Sequence, residues 1–416
     1  MVIIYGPILR AGGALQSASR EDISTRCNVD NTIATVHEVL LCHNPVFRLK
    51  RSESVVSAKR IAVVGAGVNG VSIATACASL GHQVRLFDES APFDQTSSAS
   101  SRMLHGGIRY IEQGHIGLVR EALIERDGWL RFAPDATRVE RFYFPVYRGA
   151  KRGRWLLFAG TLIYQWLAGR FSVGTSQLHS GDDIIRTFPN LLSQGLCGGA
   201  SYCDVVMEYE ALIQLLIDEA KRKGVSIIEN TPIQRIYTDG RIDTSGSTIE
   251  FDCVINAAGP WAATLLEESG INSKFTIDHV RGSHLIVNLS LKNALVLQAP
   301  GERRIVFVIP LDRERALLGT TEHTHDLADP IVCTDAESAY LLEILNQHLS
   351  QPLSTSDIVS SFAGVRPIVR PRDTAPGDMS SASRDSEIEV SDRLISVFGG
   401  KWTSARHLGE KVAALV

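Results

Sequence analysis

One stretch, residues 60–88, constrains the fold more than any other part of the chain. A short β-branched run at residues 61–64 is typical of a parallel strand that is buried on both faces, and it ends at a glycine. Gly65 allows a sharp turn, Gly67 lets the backbone approach a pyrophosphate, and Gly70 lets the following helix pack closely on the sheet. The stretch therefore predicts an α/β domain that begins with a dinucleotide-binding turn.

The second strand of this unit, residues 83–87, ends at Asp88. A carboxylate about 20 residues beyond the glycines can accept hydrogen bonds from both hydroxyls of an adenosine ribose, and it disfavours a 2′-phosphate. The N-terminus of the intervening helix carries unpaired N–H groups and about half a positive charge, which suits a diphosphate. We therefore expect a bound dinucleotide other than NADP.

The composition of the chain argues against several classes of protein. Its 416 residues can form two or three domains, and a formal net charge of −4 argues against a general nucleic-acid-binding protein. The seven cysteines are scattered without a CxxC pair, so neither a disulfide framework nor a zinc or iron–sulfur site is indicated, and a reducing compartment fits best. His323 and His325 stand close together without a nearby partner set, so we expect no metal site.

The most apolar segment does not reach the roughly 18 to 20 residues that a membrane-spanning helix needs. It covers residues 155–168, is rich in aromatic side chains and follows a basic cluster. That cluster consists of Arg148, Lys151, Arg152 and Arg154. The segment could lie at a membrane surface or form a buried helix with a charged cap, and its position in the fold has to decide between the two.

The first 57 residues show little sustained periodicity. The opening lacks a basic region, and Glu21, Asp22 and Asp30 argue against an acid-poor transit peptide. We predict a poorly ordered extension over residues 1–58 and a folded protein that begins near Lys59.

The rest of the chain alternates between helical and strand-like patterns. Helices are predicted over residues 117–132, 208–223 and 336–349. A third buried strand at residues 253–256 delivers Gly259 to its carboxyl end, where α/β proteins place ligands. Antiparallel strands are predicted at residues 283–289, 305–310 and 316–320. These antiparallel strands indicate a second layer beside the parallel sheet. A last strand reaches Gly399 and Gly400, and the N-terminus of the helix that follows could meet the far end of a cofactor.

A polar segment follows the second strand. It supplies the hydroxyls of Ser97, Ser98, Ser100 and Ser101. His105, Arg109 and Tyr110 come next, beside a pair of glycines, and on a helical turn His105 and Arg109 would point the same way. A solvated polar loop is the alternative interpretation.

Several motifs occur in order and give the chain a specific resemblance. They are TSSASSRMLHGGIRYIE, INAAGPW, RGSHLIV, RIVFVIPLD with GTTE, GVRP and SVFGGKWT. From Lys59 to its C-terminus the chain closely resembles the FAD-dependent glycerol-3-phosphate dehydrogenases of the aerobic, quinone-linked type, whose fold is like that of D-amino-acid oxidase. The resemblance implies an α/β fold in which a discontinuous Rossmann-like FAD-binding domain is combined with an antiparallel-sheet substrate domain.

The same resemblance implies a division of the chain into segments. FAD-binding segments are expected at residues 59–135, 201–270 and 356–416. A substrate or cap segment is expected at residues 136–200, and the antiparallel sheet of the substrate domain at residues 271–355.

The resemblance also assigns residues to the site. Cofactor-binding positions are expected at Gly65, Gly67, Gly70, Asp88, Ser97, Ser98, Ser101, Arg102, Gly259, Gly399, Gly400 and Thr403. Positions around the substrate pocket match at His105, Arg109, Tyr110, Arg366, Arg384 and Lys401. Arg102 replaces the lysine that is usual in the family, Ala405 replaces a tyrosine, and the family's C-terminal helical domain is missing from a sequence that ends at Val416.

The implied activity is oxidation of sn-glycerol 3-phosphate to dihydroxyacetone phosphate, with hydride transfer to the flavin and a quinone as electron acceptor. A phosphate ester is dianionic near neutral pH, so its expected ligands are Arg109, Arg384 and Lys401, supported by Tyr110. His105 is the candidate general base, and Arg366 is expected to stabilise the developing alkoxide.

The resemblance further implies a cytoplasmic protein, with possible peripheral contact with the inner face of the cytoplasmic membrane through residues 148–171. Two alternatives stay open. One is a flavin oxidase or dehydrogenase of the same fold that acts on another hydroxy or amino acid. The other is a non-catalytic FAD-binding subunit that carries electrons, against which the joint presence of His105, Arg109, Arg366 and Lys401 argues.

Overall fold

The computed structural model describes residues 57–299, 301–302, 304–375 and 386–416. Ser57–Val416 form one compact unit. Nearly all of the predicted extension, residues 1–58, lies outside the described residues, as does Arg384.

The unit contains both β-strands and α-helices. The strands are β1 Arg60–Val64, β2 Gln83–Phe87, β3 Met103–Leu104, β4 Thr137–Tyr147, β5 Gln177–His179, β6 Leu196–Met207, β7 Ser226–Ile228, β8 Ile233–Ile236, β9 Arg241–Thr244, β10 Thr248–Glu250, β11 Cys253–Asn256, β12 Phe275–Asn288, β13 Ala294–Gln298, β14 Ile305–Pro310, β15 Arg315–Gly319, β16 His323–Thr324, β17 Ile358–Pro371, β18 Glu387–Ser391 and β19 Leu394–Phe398. The α-helices are α1 Val68–Ser79, α2 Ile116–Phe132, α3 Arg154–Ala168, α4 Gly181–Thr187, α5 Tyr209–Arg222, α6 Ala262–Glu268, α7 Asp335–Asn346 and α8 Ala405–Ala413. Short 3₁₀ turns that matter for the site are Ile108–Gln113, Gly259–Trp261 and Trp402–Ser404.

A six-stranded sheet has the order β18-β19-β11-β1-β2-β7. The strands from β19 to β7 are parallel to their neighbours, and β18 is an antiparallel edge. Alternate residues of β1 enter different cores: Ile61 and Val63 pack with α1, α5 and α8, whereas Ala62 and Val64 pack with α6 and the small β8–β10 sheet. The continuous apolar run of β1 is thus explained by burial on both faces.

A ten-stranded sheet forms a second layer and contains β12 to β16 with β3, β4 and β6, while β17 and β5 join at its sides. Its pairs are antiparallel except for β4 with β13. One face packs on α4 and α7, and the other packs on α2 and α3.

One sequence expectation falls short in this layer. The strand expected at residues 283–289 begins earlier, because β12 pairs with β17 from Phe275 onward. Asp278, His279 and Arg281 interrupt the apolar pattern at the start of β12, and pairing with a partner that lies far along the chain compensates for this interruption. β17 therefore belongs to the antiparallel sheet, although it lies within the segment 356–416.

Candidate active site

A cavity of about 310 Å³ lies at the carboxyl ends of the parallel strands. The turns after β1, β2, β11 and β19 all contribute to it, which is where open α/β sheets bind ligands. Predicted cofactor residues that line it are Gly65, Gly67, Asp88, Ser97, Gly259, Gly399 and Gly400.

The turn after β1 contains three glycines, and each is needed there for a different reason. Gly65 has a φ of +99°, which an L side chain rarely adopts. A Cβ at Gly70 would lie 1.7 Å from the carbonyl oxygen of Gly65, so this glycine permits contact between α1 and the turn. Gly67 caps α1 in an extended conformation, and a Cβ there would meet only Ser97 Oγ, at 3.1 Å. The space beside Gly67 thus opens toward the cavity that it lines.

The acid after β2 is fixed by the backbone. Asp88 Oδ2 accepts a hydrogen bond from Ala66 N at 2.6 Å, and Oδ1 accepts one from Ser90 N at 2.9 Å. At the opposite wall, Asn69 Nδ2 donates to Gly399 O at 3.0 Å. Asn69 Oδ1 is buried and has no protein partner among the described residues. A fixed carboxylate, a glycine cradle and an orphaned polar atom in one cavity fit a bound dinucleotide.

The serine-rich segment leads away from the cavity. Ser97 Oγ accepts the N–H of Val68 at 3.0 Å, so it supports the N-terminus of α1. Ser98 Oγ donates to Gln95 O at 2.7 Å, within its own loop. Ser101 Oγ is 2.8 Å from His284 Nε2, which connects this segment to the antiparallel sheet.

Arg102 occupies a left-handed conformation with φ of +57° and stacks on the ring of Tyr209 at 3.6 Å. Burial lowers the pKa of the Arg102 guanidinium, although Tyr209 opposes the shift. Its Nη1 atom is buried without a partner in the described part of the chain. Arg102 thus keeps one buried N–H group without a protein partner among the residues that the structure describes, while its guanidinium lies on the ring of Tyr209.

His105 lies between β3 and the 3₁₀ turn Ile108–Gln113. The expectation that His105 and Arg109 share one helical turn is wrong, because Gly107 (φ +73°) separates them. Burial lowers the pKa of His105, and Asp204 opposes this shift. The charges of Lys401 and Arg109 add to the lowering of this pKa.

A cluster of charges surrounds the carboxylate of Glu322. Glu322 Oε1 lies 3.8 Å from Arg109 Nη1 and 3.9 Å from Arg366 Nη1. Arg304 Nη2 lies 3.8 Å from Glu322 Oε2. Nearby, Lys401 Nζ lies over the ring of Tyr110 at 5.3 Å.

Arg366 is further held by the turn after β15. Its Nη2 donates to Thr320 Oγ1 at 2.9 Å. A Cβ on Gly282 would lie 2.5 Å from Arg366 Nη2, so a larger residue at this position of β12 would require the guanidinium to move. Burial lowers the pKa of Arg366, and Glu322 opposes this effect.

His284 is a residue that the sequence analysis did not select. It is buried, stacks on Phe362 at 5.1 Å and lies near Arg366 and Arg102. Burial, reinforced by these two cations, lowers the pKa of His284 to about 3. Glu322, Arg304 and His284 lie within motifs used for the resemblance, GTTE, RIVFVIPLD and RGSHLIV, but periodicity gives no reason to choose them.

Two of the remaining predicted cofactor residues, Thr403 and Gly70, do not line the cavity. Thr403 Oγ1 accepts from His105 N at 3.1 Å and donates to His105 O at 3.3 Å, so its hydroxyl contacts the histidine backbone. Gly70 contacts the turn and does not line the cavity. The structure therefore links Arg109 to Arg366 through Glu322 and places the charges of Arg109 and Lys401 where they act on His105, while the roles assigned to these residues stay predictions.

Comparison with known proteins identifies the class. The family model described as FAD dependent oxidoreductase matches residues 60–415. The chain therefore belongs to the FAD-dependent oxidoreductases, and its cofactor is FAD. Its α/β fold of D-amino-acid-oxidase type, with a Rossmann-like FAD-binding part, is confirmed as predicted.

Individual relatives narrow the class. A glycerol-3-phosphate dehydrogenase of Pseudomonas aeruginosa is 34% identical over 369 residues, which cover 84% of this chain and 70% of the relative. A D-erythritol 1-phosphate dehydrogenase of Brucella abortus is 32% identical over 367 residues, which cover 84% of this chain and 72% of the relative. The solved structure of glycerol-3-phosphate dehydrogenase from Bacillus halodurans with FAD has a TM-score of 0.67 at 23% identity, over 86% of this chain and 64% of that one, and it shows the shared fold. The chain belongs to the FAD-dependent glycerol-3-phosphate dehydrogenase family.

Proposed function

We propose that this protein oxidises sn-glycerol 3-phosphate at carbon 2 to dihydroxyacetone phosphate. The observation that carries the proposal is that Arg109 and Arg366 share the carboxylate of Glu322, while the charges of Arg109 and Lys401 act on His105. A dianionic phosphate ester needs several fixed cations with complementary geometry, and a secondary alcohol needs a proton acceptor beside them. The relatives named glycerol-3-phosphate dehydrogenase support this substrate.

Each residue has a separate task in the proposed reaction. Arg109 and Lys401, with Tyr110, bind the phosphate, and we assign Arg384 to the same group from the sequence. His105 accepts the hydroxyl proton, for which its neutral form is required, and burial favours that form by lowering its pKa. Arg366 stabilises the alkoxide that develops as the proton leaves. Bound FAD, held by the glycine turn after β1 and by Asp88, would supply the acceptor for the hydride of carbon 2, and we propose a quinone as the acceptor of the two electrons.

A second candidate substrate is a longer polyol phosphate. The Brucella abortus relative, at 32% identity, is named D-erythritol 1-phosphate dehydrogenase. The same phosphate cations and the same base would serve both substrates, since the two differ in the carbon chain beyond the reacting alcohol. Anaerobic mixing with each compound, followed by flavin absorbance near 450 nm (about the usual position for oxidised flavin), distinguishes them by the rate of bleaching.

The test of the site uses variants in stopped-flow flavin reduction. Arg109→Ala and Lys401→Ala each remove one partner of a charge-assisted contact, which costs about 2 to 5 kcal/mol, or about 30-fold to several thousand-fold in kcat/KM. His105→Ala removes the base, so the reduction rate should fall by about 10² to 10⁴ with little change in apparent affinity. Arg393→Ala, at an exposed arginine paired with Glu250, is the control. If the site variants reduce flavin like the control, the substrate binds elsewhere.

A quinone acceptor is dissolved in the membrane, so the protein has to contact the membrane surface. We propose that it does so through α3. Among the residues that the structure describes, no helix is long and apolar enough to cross a bilayer. On the outer face of α3, however, Trp155 and Trp166 are 63% and 76% exposed, and Leu156 is 61% exposed. Arg154 stacks on Trp155 and provides a cation beside this apolar face. Exposed aromatic residues next to basic residues suit an anionic interface.

Vesicle sedimentation tests this docking. The FAD-loaded protein should sediment with vesicles that contain anionic lipid, and Trp166→Asp should weaken binding by roughly tenfold or more, since a buried aromatic side chain contributes about 1.5 to 3 kcal/mol. Val390→Asp, at an exposed apolar residue on β18, is the matched control. Equal binding by both variants would rule out the α3 face as the membrane contact.

A further inference from the structure

A buried polar network lies directly behind the peptide that carries His105. Tyr164 Oη accepts the N–H of Gly106 at 2.7 Å and donates to Asp204 Oδ2 at 2.6 Å. Arg126 Nη1 donates to Asp204 Oδ1 at 3.2 Å. Arg126 and Asp204 are each 1% exposed, and Tyr164 is 2% exposed.

We propose that Tyr164 is a positioning residue for the catalytic base: its hydroxyl fixes the His105–Gly106 peptide, and the Arg126–Asp204 ion pair fixes that hydroxyl. The proposal rests on the proposed function of His105.

The geometry gives Tyr164 a task that other groups do not duplicate. Thr403 holds the N–H and the carbonyl of His105 itself. The next N–H, that of Gly106, goes to Tyr164. Gly107 follows with φ of +73°, so the chain turns immediately after the held peptide. Loss of the Tyr164 bond would free the N–H of Gly106, while Thr403 would still bind the carbonyl of His105. We therefore expect the imidazole to rotate and the loop to stay folded.

The network also fixes the direction of the tyrosine hydroxyl. The Asp204 carboxylate accepts hydrogen bonds from Tyr164, Arg126 and Val205 N, the last at 3.1 Å. Because the carboxylate accepts from Tyr164, the hydroxyl proton points to Asp204 and its lone pair stays available for the N–H of Gly106. Asp204 therefore helps to position the His105–Gly106 peptide through Tyr164, and its negative charge opposes the lowering of the pKa of His105.

The three residues come from elements that are far apart in sequence. Arg126 lies on α2, Tyr164 on the buried face of α3, and Asp204 on β6. Burying a charged pair carries a desolvation cost, and in some proteins polar groups placed this deep specify one geometry. Arg126 Nη2 also donates to Phe171 O at 2.6 Å, so the network holds the turn at Phe171 as well as the peptide that follows His105.

The test is Tyr164→Phe in the FAD-loaded full chain, with Tyr147→Phe as matched control. Tyr147 Oη donates to Leu192 O at 2.8 Å, so the control loses a tyrosine hydroxyl bond away from the site, whereas Tyr164→Phe loses the bonds to Gly106 and to Asp204. For Tyr164→Phe we expect flavin reduction by glycerol 3-phosphate to slow by about 10-fold, with the half-saturating concentration changed less than about 3-fold. The solvent deuterium isotope effect should rise, since proton removal becomes more limiting. A purely structural role would lower the active fraction and leave the isotope effect unchanged.

Hydrogen exchange gives a second readout that needs no substrate. A peptide that covers residues 103–110 should exchange about 5-fold to 10-fold faster at Gly106 in Tyr164→Phe, as expected for loss of one hydrogen bond, and at the parent rate in Tyr147→Phe. Should Tyr164→Phe fail to fold, Asp204→Asn keeps the side-chain size and should show the same effect in weaker form.

The outcomes separate the two hypotheses. If the parent protein is not reduced by glycerol 3-phosphate, the proposed function fails, and hydrogen exchange still tests the positioning of the peptide. If the parent is reduced and Tyr164→Phe matches the control in rate, isotope effect and exchange, the positioning role is overturned. Unchanged Gly106 exchange alone is enough to overturn it.

Discussion

The glycine turn after β1 offers a sharp test, because two of its glycines are needed for different reasons. Gly67 has φ −71° and ψ 179°, an extended conformation that any residue adopts, and a new Cβ there meets only Ser97 Oγ. A Cβ at Gly70 would lie 1.7 Å from the backbone oxygen of Gly65. We therefore predict that Gly67→Val removes FAD from a folded protein, whereas Gly70→Val damages the fold itself.

The magnitudes follow from these contacts. Valine at Gly67 replaces a better helix N-cap and should cost about 1 kcal/mol or less in the free energy of unfolding. Its side chain enters the cavity, where it would block the approach of a pyrophosphate to the backbone. The loss of one or two charge-assisted hydrogen bonds, at about 1.5 to 3 kcal/mol each, weakens FAD binding by at least about tenfold and by as much as about 10⁴-fold. Valine at Gly70 requires α1 to move, which costs about 3 kcal/mol or more.

The assay combines FAD content with thermal unfolding. The ratio of FAD to protein is measured after desalting, and the melting temperature is measured with and without added FAD. For Gly67→Val we expect a melting temperature near that of the parent without FAD and no stabilisation by added FAD. For Gly70→Val we expect a lower melting temperature in both conditions. A Gly67→Val protein that keeps full flavin occupancy would refute the assignment of the glycine turn to the pyrophosphate.

Three further predictions concern buried groups. The pKa of His284 falls from 6.5 to about 3 on folding, so its contribution to stability is complete above pH 6.5 and is lost as the pH falls toward 3. Between pH 6.5 and 4.5, the free energy of unfolding measured in urea should therefore decrease by roughly 2 kcal/mol less in His284→Asn than in the parent protein. Asp204→Ala should lower the free energy of unfolding by about 3 to 5 kcal/mol, because the buried Arg126 loses its partner, and replacing both residues by apolar side chains should recover much of this loss. Gly282→Ala should displace Arg366 and reduce turnover of glycerol 3-phosphate by about 10-fold to 100-fold at unchanged FAD content.

Each of these predictions has an outcome that contradicts it. Parallel pH profiles of unfolding for His284→Asn and the parent would mean that this imidazole titrates normally. An apolar double variant at Arg126 and Asp204 as unstable as Asp204→Ala would mean that packing, not the unpaired charge, explains the loss. Full activity of Gly282→Ala would mean that Arg366 has space to adjust.

Much of the parallel sheet could be predicted because its signals are local. The strand at residues 61–64 is apolar throughout, and the helix predicted over residues 208–223 coincides with α5 within one residue at each end. The extent of β12 could not be predicted in this way, because its first half is stabilised by β17, which follows about 80 residues later. Pairing with a distant strand overrides the local pattern.

For the site, the sequence by itself determined the residues whose role depends on their neighbours in the chain. The glycines of the first turn and the acid after β2 are examples, since the strand, the turn and the helix N-terminus are contiguous. Only the tertiary structure decided which side chains meet across long separations. Ser101 contacts His284, Glu322 lies between Arg109 and Arg366, and Gly106 is bound by Tyr164. These contacts depend on how the two sheets pack together, and a pattern of period two or 3.6 reports which face is buried but not which distant residue lies against it.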